Sequence, residues 1–142
     1  MQRYRRTIAP AGLLLLAGAC GVPGLTPEGR QQTTHFQTAV PIEAAYARAV
    51  TWIDSHGYTI VEGDQPRYLR AERAVPAGEG VEHIYIQTLR LTARSAEVTD
   101  GSVQGTTEVR SGGSRRRASQ IPPGVAHDTQ TLADALIVRR PD

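Results

Sequence analysis

The sequence predicts an α+β fold, a two-layer sandwich in which a curved antiparallel sheet of four to five strands carries two helices on one face. Three observations lead to this prediction. Two stretches repeat apolar residues at the helical period, one early in the chain and one at its end. Strand-like stretches separated by turn signals fill the interval between them. The resulting order, β-α-β-β-β-β-α, is typical of two helices packed on one side of a sheet.

The first two elements are a strand over residues 35–40 and a helix that follows it directly. Pro41 suits the first helical position, and Glu43 in the first turn complements the positive end of the helix dipole. Gly57 indicates the end of the helix. The apolar stripe of this helix contains Ile42, Tyr46, Ala49, Val50 and Ile53.

Four strands are predicted in the middle of the chain. Residues 58–62 and 68–75 flank a turn, and in the second of these Leu69 and Ala71 face the core while Arg70 and Glu72 face away from it. Residues 82–96 carry apolar side chains first at even and then at odd positions, which predicts a bulge near residues 87 and 88.

The hairpin signal Asp100-Gly101 precedes the fourth of these strands, over residues 103–110. Gly105 in this strand leaves space that a helix can approach.

Residues 111–124 are predicted to form a polar, glycine-rich loop that contains Arg115, Arg116 and Arg117. Three free guanidinium groups on such a loop indicate a binding contact for a phosphate, a carboxylate or an acidic protein surface. The alternative is a solvated loop whose charges keep a hairpin edge from aggregating. The last helix is predicted over residues 125–138.

The amino-terminal stretch has the layout of an export signal. Arg3, Arg5 and Arg6 precede an apolar run over residues 8–19 that is too short to span a bilayer as a helix. Its end, Leu16-Ala17-Gly18-Ala19-Cys20, resembles the lipobox of bacterial lipoproteins, although Ala17 occupies the place where leucine is usual. The alternative is a conventional signal peptide with an incidental cysteine.

The lipobox resemblance implies a diacylglycerol on Cys20, cleavage before that residue and acylation of the new amino terminus. Gly21, in place of an aspartate, implies by similarity to the enteric sorting system that the protein resides at the outer membrane. Three segments follow: a signal peptide over residues 1–19, a lipidated cysteine with a flexible tether over residues 20–34, and a single domain over residues 35–142.

The order of the elements in residues 35–138 is similar to that of the helix-grip domains of several envelope lipoproteins. These include the C lipoprotein of the outer-membrane β-barrel assembly machinery. The resemblance rests on element order alone, and it implies a two-layer domain that faces the periplasm.

Charge and motifs exclude several kinds of function. Without residues 1–19 the chain has thirteen arginines, no lysine and fourteen acidic residues, so its overall charge does not favour nucleic acid as a partner. One cysteine allows no disulfide. The histidines lack the paired spacing of metal ligands, and no nucleotide-binding or nucleophile motif is present, so we expect neither metal nor cofactor. The four histidines are His35, His56, His83 and His127.

Three functional hypotheses follow from these observations. The first is a membrane-anchored lipoprotein whose domain is not catalytic and binds an envelope protein from the periplasmic side of the outer membrane. The second is a carrier of a lipid, a glycan or another small envelope ligand, and the third is an enzyme such as a hydrolase. An unbroken apolar core under the helices favours the first hypothesis, whereas an open cavity there favours the second. The oligomeric state is left open.

Overall fold

A six-stranded antiparallel sheet and two helices make up the domain in the computed structural model, which describes residues 29–141. The predicted signal peptide, Cys20 and the tether up to residue 28 lie outside the described residues. The elements in chain order are β1 (Gln31–Thr38), α1 (Ile42–Ser55), β2 (Thr59–Asp64), β3 (Tyr68–Gly78), β4 (Val81–Ser95), β5 (Val98–Ser111), β6 (Ser114–Arg117) and α2 (Pro123–Leu136).

The strands lie in the order β1-β5-β4-β3-β2, and all neighbours are antiparallel. β6 pairs with the last four residues of β5, on the same side of β5 as β1. The predicted α+β sandwich is therefore confirmed. β2 forms one edge of the sheet, and β1 and β6 together form the other.

The core lies between the helices and one face of the sheet. α1 carries a stripe that is almost entirely buried, and α2 packs beside it over β1 and β5. Both helices begin after a proline, which fixes the backbone in the extended form that precedes a first helical turn. The core residues with the least exposure are Ala45, Ala49, Ile53, Leu69, Ala71, Leu89, Val103, Leu132, Ala133 and Leu136.

The predicted bulge near Gln87 and Thr88 is wrong, because β4 pairs with β3 and β5 without interruption there. The change of phase has a different cause: Ile84 and Ile86 point to the face away from the helices, and Leu89 and Leu91 point to the core. Gln87 is buried among the core residues and accepts a hydrogen bond from a threonine of α2, at 3.0 Å. The register shift of β4 lies between Ala93 and Ser95 instead.

The predicted hairpin turn at Asp100-Gly101 is also wrong, because both residues lie inside β5 and the chain reverses between Ser95 and Val98. Gly101 is required for packing, since a Cβ atom there would lie 2.3 Å from Cζ of Phe36. The first strand also differs, because it begins at Gln31 and not at residue 35. Four residues of the predicted tether therefore belong to the sheet, paired with β5.

The stretch that carries the three arginines is a strand and not a loop, which raises the strand count from the predicted four or five to six. Gly112 and Gly113 have φ values of 55° and 81°, and they reverse the chain between β5 and β6. The returning residues then pair with Glu108, Val109 and Arg110 of β5.

Candidate functional site

The face of the sheet away from α1 and α2, which we call the uncovered face, is rich in charged side chains. It carries the side chains that alternate with those of the core, including Arg70 and Glu72 on β3 and Glu108 on β5. The predicted outward direction of Arg70 and Glu72 agrees with this arrangement.

Four side chains of the uncovered face form a charge network, which we call the arginine–glutamate network. The Arg70 guanidinium lies 3.3 Å from the carboxylate of Glu72 and 3.6 Å from that of Glu108. The Arg115 guanidinium lies 3.0 Å and 2.8 Å from the same two carboxylates. Two cations therefore share two anions, and all four charges are balanced within the network.

The arginine–glutamate network covers the centre of the sheet. Glu72 belongs to β3 and Glu108 to β5, so each arginine that binds both carboxylates must cross β4, which lies between those strands. Ile84 and Ile86 of β4 point to this face and are only 2% and 3% exposed, although they lie outside the main core. We infer that the aliphatic stems of the arginines shield these two side chains from water.

An open groove of about 290 Å³ lies beside the network, on the same face. Arg90 extends over the ring of Tyr68, with its guanidinium carbon 5.0 Å from the ring centroid. Arg117 donates a hydrogen bond to the side-chain oxygen of Gln31, at 2.9 Å. The remaining lining side chains are mostly polar: Arg70, Ile86, Thr88, Gln104, Thr106 and Glu108.

Arg90 and Arg117 give the groove a surplus of positive charge. Neither guanidinium forms an ion pair with a carboxylate of residues 29–141, whereas Arg70 and Arg115 are already paired with Glu72 and Glu108. Among the residues that line the groove, three arginines thus face one glutamate, and Glu62 lies at its edge, where it accepts a hydrogen bond from Tyr68. An anionic group that enters the groove meets two guanidinium groups free to bind it.

The structure divides the three predicted binding arginines between two faces. Arg115 and Arg117 point to the uncovered face, and Arg116 points to the opposite side because successive residues of a strand alternate. The hydrogen bond to Glu72, and then that to Glu108, raise the pKa of Arg115. The side chain of Arg116 has no hydrogen bond or ion pair within the described part of the chain.

The sequence prediction did not identify Tyr68 or Arg90 as members of a site. Their partners lie on neighbouring strands, so only the alternation along β3 and β4 was available as a signal.

A second polar cluster lies on the helix side of the sheet and shares Tyr58 with the apolar core. Asp128 of α2 is 7% exposed, and its Oδ2 accepts hydrogen bonds from the hydroxyl of Tyr58, at 2.6 Å, and from Arg73, at 2.9 Å. Burial first, and then the hydrogen bond to Asp128, raise the pKa of Tyr58. The Arg73 guanidinium also lies between the rings of Tyr58 and Tyr85, at 5.0 and 5.4 Å from their centroids.

Metal and membrane features were sought in residues 29–141. No group of three or more histidine, cysteine, aspartate or glutamate side chains is placed there to hold a metal ion. The side chain of His127 is exposed although that of its neighbour Asp128 is buried. Among these residues, neither helix has the length and apolar character needed to cross a membrane.

Comparison with known proteins gives two distant structural likenesses. No protein-family model and no curated protein sequence matches this chain. An aromatase/cyclase from Streptomyces sp. R1128 is 12% identical, with a TM-score of 0.39 over 75% of this chain and 90% of its own. A DUF4468 family protein from Bacteroides ovatus is 11% identical, with a TM-score of 0.42 over 76% of this chain and 81% of its own. Likenesses this distant say nothing about the ligand or the reaction of this chain.

Proposed function

We propose that the protein is a membrane-anchored lipoprotein whose domain binds the acidic surface of a partner protein in the bacterial envelope. The lipid on Cys20 provides the attachment, at the outer membrane and facing the periplasm, as the export signal and Gly21 suggest. The uncovered face provides the binding surface. The domain acts without catalysis and without a metal or cofactor.

The observation that carries this proposal is the pair of guanidinium groups at the groove, those of Arg90 and Arg117, that no carboxylate of residues 29–141 neutralises. The aromatic ring below Arg90 and the amide beside Arg117 hold both groups in place, which lowers the entropy lost on binding. Carboxylates of a partner protein suit such paired, oriented guanidinium groups.

Dense packing on the helix side supports a binding surface in preference to a ligand carrier. A Cβ atom at Gly105 would lie 2.1 Å from Oγ1 of Thr129, and the neighbouring side chains of Val103, Val125 and Leu132 have no exposed surface. The layer that a carrier of this architecture needs for its ligand is therefore filled by the protein's own side chains.

The state of Asp128 supports a domain that is not catalytic. Its Oδ2 accepts hydrogen bonds from both Tyr58 and Arg73, so this carboxylate serves as an acceptor that joins other elements of the fold. None of the four histidines forms a hydrogen bond with a carboxylate in the described part of the chain. The cluster of Tyr58, Arg73 and Asp128 is thus explained by a structural role.

Site-specific crosslinking in native membranes tests the binding face. A photoreactive residue at Thr88, inside the groove, is expected to capture an envelope protein, and Arg117→Glu or Arg90→Glu is expected to lower the yield about tenfold. Arg116→Glu is the matched control, because it makes the same charge change on the same strand but on the opposite face. Equal yields from Arg117→Glu and Arg116→Glu would overturn the binding face.

Mass spectrometry and fractionation test the anchor separately. The native chain is expected to carry acyl groups on Cys20, and the Cys20→Ser chain is expected to leave the membrane fraction. An unmodified thiol in the native chain would refute the anchor while leaving the binding face to be judged by crosslinking.

A further inference from the structure

β2 is a free edge of the sheet. It pairs with β3 on one side, and no strand of residues 29–141 lies on its other side. All six of its residues are exposed. The backbone N–H and C=O groups that point away from β3 are therefore open to pair with another chain.

Apolar side chains are concentrated at this same edge. Ile60 is 39% exposed and Val61 is 52% exposed, and they are two of the three large apolar side chains with this degree of exposure in the described residues. Beside them a hollow of about 430 Å³ lies between α1 and β2. Its walls include the apolar side chains of Val50, Ile53 and Tyr58.

The combination of a free strand edge with an apolar hollow toward a helix matches one recurring mode of peptide recognition. In that mode an extended peptide pairs with the edge strand through its backbone, and its alternate side chains enter the hollow between strand and helix. Here β2 supplies the edge and α1 supplies the helix, with Ile60 at the boundary between them.

The charges around the edge indicate the chemistry of the peptide. Asp54 lines the hollow, and Glu62 and Asp64 lie on β2. None of these three carboxylates forms an ion pair with another side chain in residues 29–141, and Glu62 accepts only a long hydrogen bond from Tyr68, at 3.5 Å. A peptide with basic residues complements this edge, in contrast to the acidic partner of the uncovered face.

The register of β2 favours a separate peptide over a second copy of this chain. The pairing with β3 skips Val61, which forms a bulge between Ile60 and Glu62. A bulge and two acidic side chains discourage flat pairing of β2 with an identical strand, because equal charges would meet across the interface.

We propose that β2 binds an extended, basic segment of a partner polypeptide as an additional strand of the sheet, with apolar side chains of that segment in the hollow between β2 and α1. The hollow shares no residue with the groove of the uncovered face, and the proposal does not depend on the lipid anchor or on the acidic partner.

The test uses the full chain in lipid nanodiscs and a fluorescein-labelled peptide, Arg-Val-Thr-Val-Thr-Val-Arg, with both ends blocked. Fluorescence anisotropy measures binding, and hydrogen exchange measures protection of the β2 amides. We expect saturable binding and at least about fivefold slower exchange within residues 59–64. The same peptide with its three central residues N-methylated cannot pair as a strand and is expected not to bind.

Three variants locate the contact. Ile60→Arg is expected to weaken binding at least about tenfold, and Ile137→Arg is the matched control because it changes another exposed isoleucine, at the end of α2. Asp54→Asn removes a charge at the hollow without altering the core and is expected to weaken binding about threefold, which supports the proposal even if Ile60→Arg perturbs folding.

Three results would overturn the proposal. The first is no slowing of exchange in residues 59–64 at saturating peptide. The second is equal binding of the N-methylated peptide, which would show that pairing with the strand is not involved. The third is protection of β2 without peptide that rises with protein concentration together with a doubled mass, which would assign the edge to a second copy of the chain.

Discussion

Arg115, Arg116 and Arg117 are adjacent in sequence and have three different environments. Arg115 is held by Glu72 and Glu108, Arg117 binds Gln31 at the groove, and Arg116 lies on the other side of the strand. The physical cause is the alternation of side chains in β6 together with its register against β5. Replacing all three at once therefore combines a loss of stability with a loss of binding.

Replacement of single arginines separates these two effects. We expect Arg115→Ala to lower the free energy of unfolding by about 1 kcal/mol, because its charges are partly exposed and are screened by solvent. Arg116→Ala is expected to change that free energy by less than about 0.5 kcal/mol. Urea unfolding measures the free energy of both variants, and about 1 M salt should reduce the difference between them. Equal losses of unfolding free energy in Arg115→Ala and Arg116→Ala would contradict the arginine–glutamate network.

At the scale of elements, the distance between α2 and the sheet depends on glycine in β5. Gly105 lies directly under α2, and a Cβ atom at this position would lie 2.1 Å from Thr129 Oγ1 and 2.9 Å from Val125 Cγ1. The predicted role of Gly105, space for an approaching helix, is thereby confirmed. Thr129 in turn donates a hydrogen bond to the buried Gln87, so close approach also satisfies a polar group of the core.

Gly105→Ala is therefore expected to force α2 away from the sheet. We expect a loss of about 1–3 kcal/mol in the free energy of unfolding, as for other cases of overpacking. Gly63→Ala is the matched control, since the nearest atom to a Cβ there is the Tyr46 hydroxyl at 3.4 Å, an ordinary contact. Urea unfolding distinguishes the two, and a stable Gly105→Ala chain would show that α2 does not approach as closely as described.

At the scale of the whole molecule, the partly buried cluster of Tyr58, Arg73 and Asp128 joins three parts of the domain. Tyr58 follows α1, Arg73 belongs to β3 and Asp128 to α2, and Arg73 also donates a hydrogen bond to the backbone oxygen of His56, at 3.2 Å. The cluster connects α2 and the residues that follow α1 to β3 of the sheet.

This cluster predicts a pH dependence of stability. The pKa of Tyr58 is raised above its ordinary value of 10.0, so the folded chain retains the proton to a higher pH than the unfolded chain. Its contribution to stability is complete below about pH 10 and is lost as the pH rises further, by up to about 1.4 kcal/mol per pH unit. Urea unfolding between about pH 8 and pH 11 should show this loss, and Tyr58→Phe should reduce the slope.

The uncovered face and the edge at β2 place two surfaces of opposite charge on one domain. The first presents Arg90 and Arg117, and the second presents Asp54, Glu62 and Asp64. The hollow lies on the helix side of the sheet, whereas Glu62 and Asp64 lie opposite Arg70 and Tyr68 at the border of the uncovered face, so the two surfaces adjoin along β2.

Local patterns in the sequence determined the order of all the elements except β6, and the inward faces of the helices. The helical period identified α1 and α2 to within about two residues of their ends, and alternation placed Leu69 and Arg70 on opposite faces. These features depend on residues that are close in sequence, so they can be derived without knowledge of how the strands pair.

Only the tertiary structure decided which strands meet and therefore which side chains form sites. The two isoleucines of β4 point away from the helices and are nevertheless buried, and Arg73 contacts Asp128 at a separation of 55 residues. The length and register of β5 determine where β6 lies and therefore where its arginines lie. Such contacts arise from long-range pairing, whose register the periodicity of a single strand does not encode.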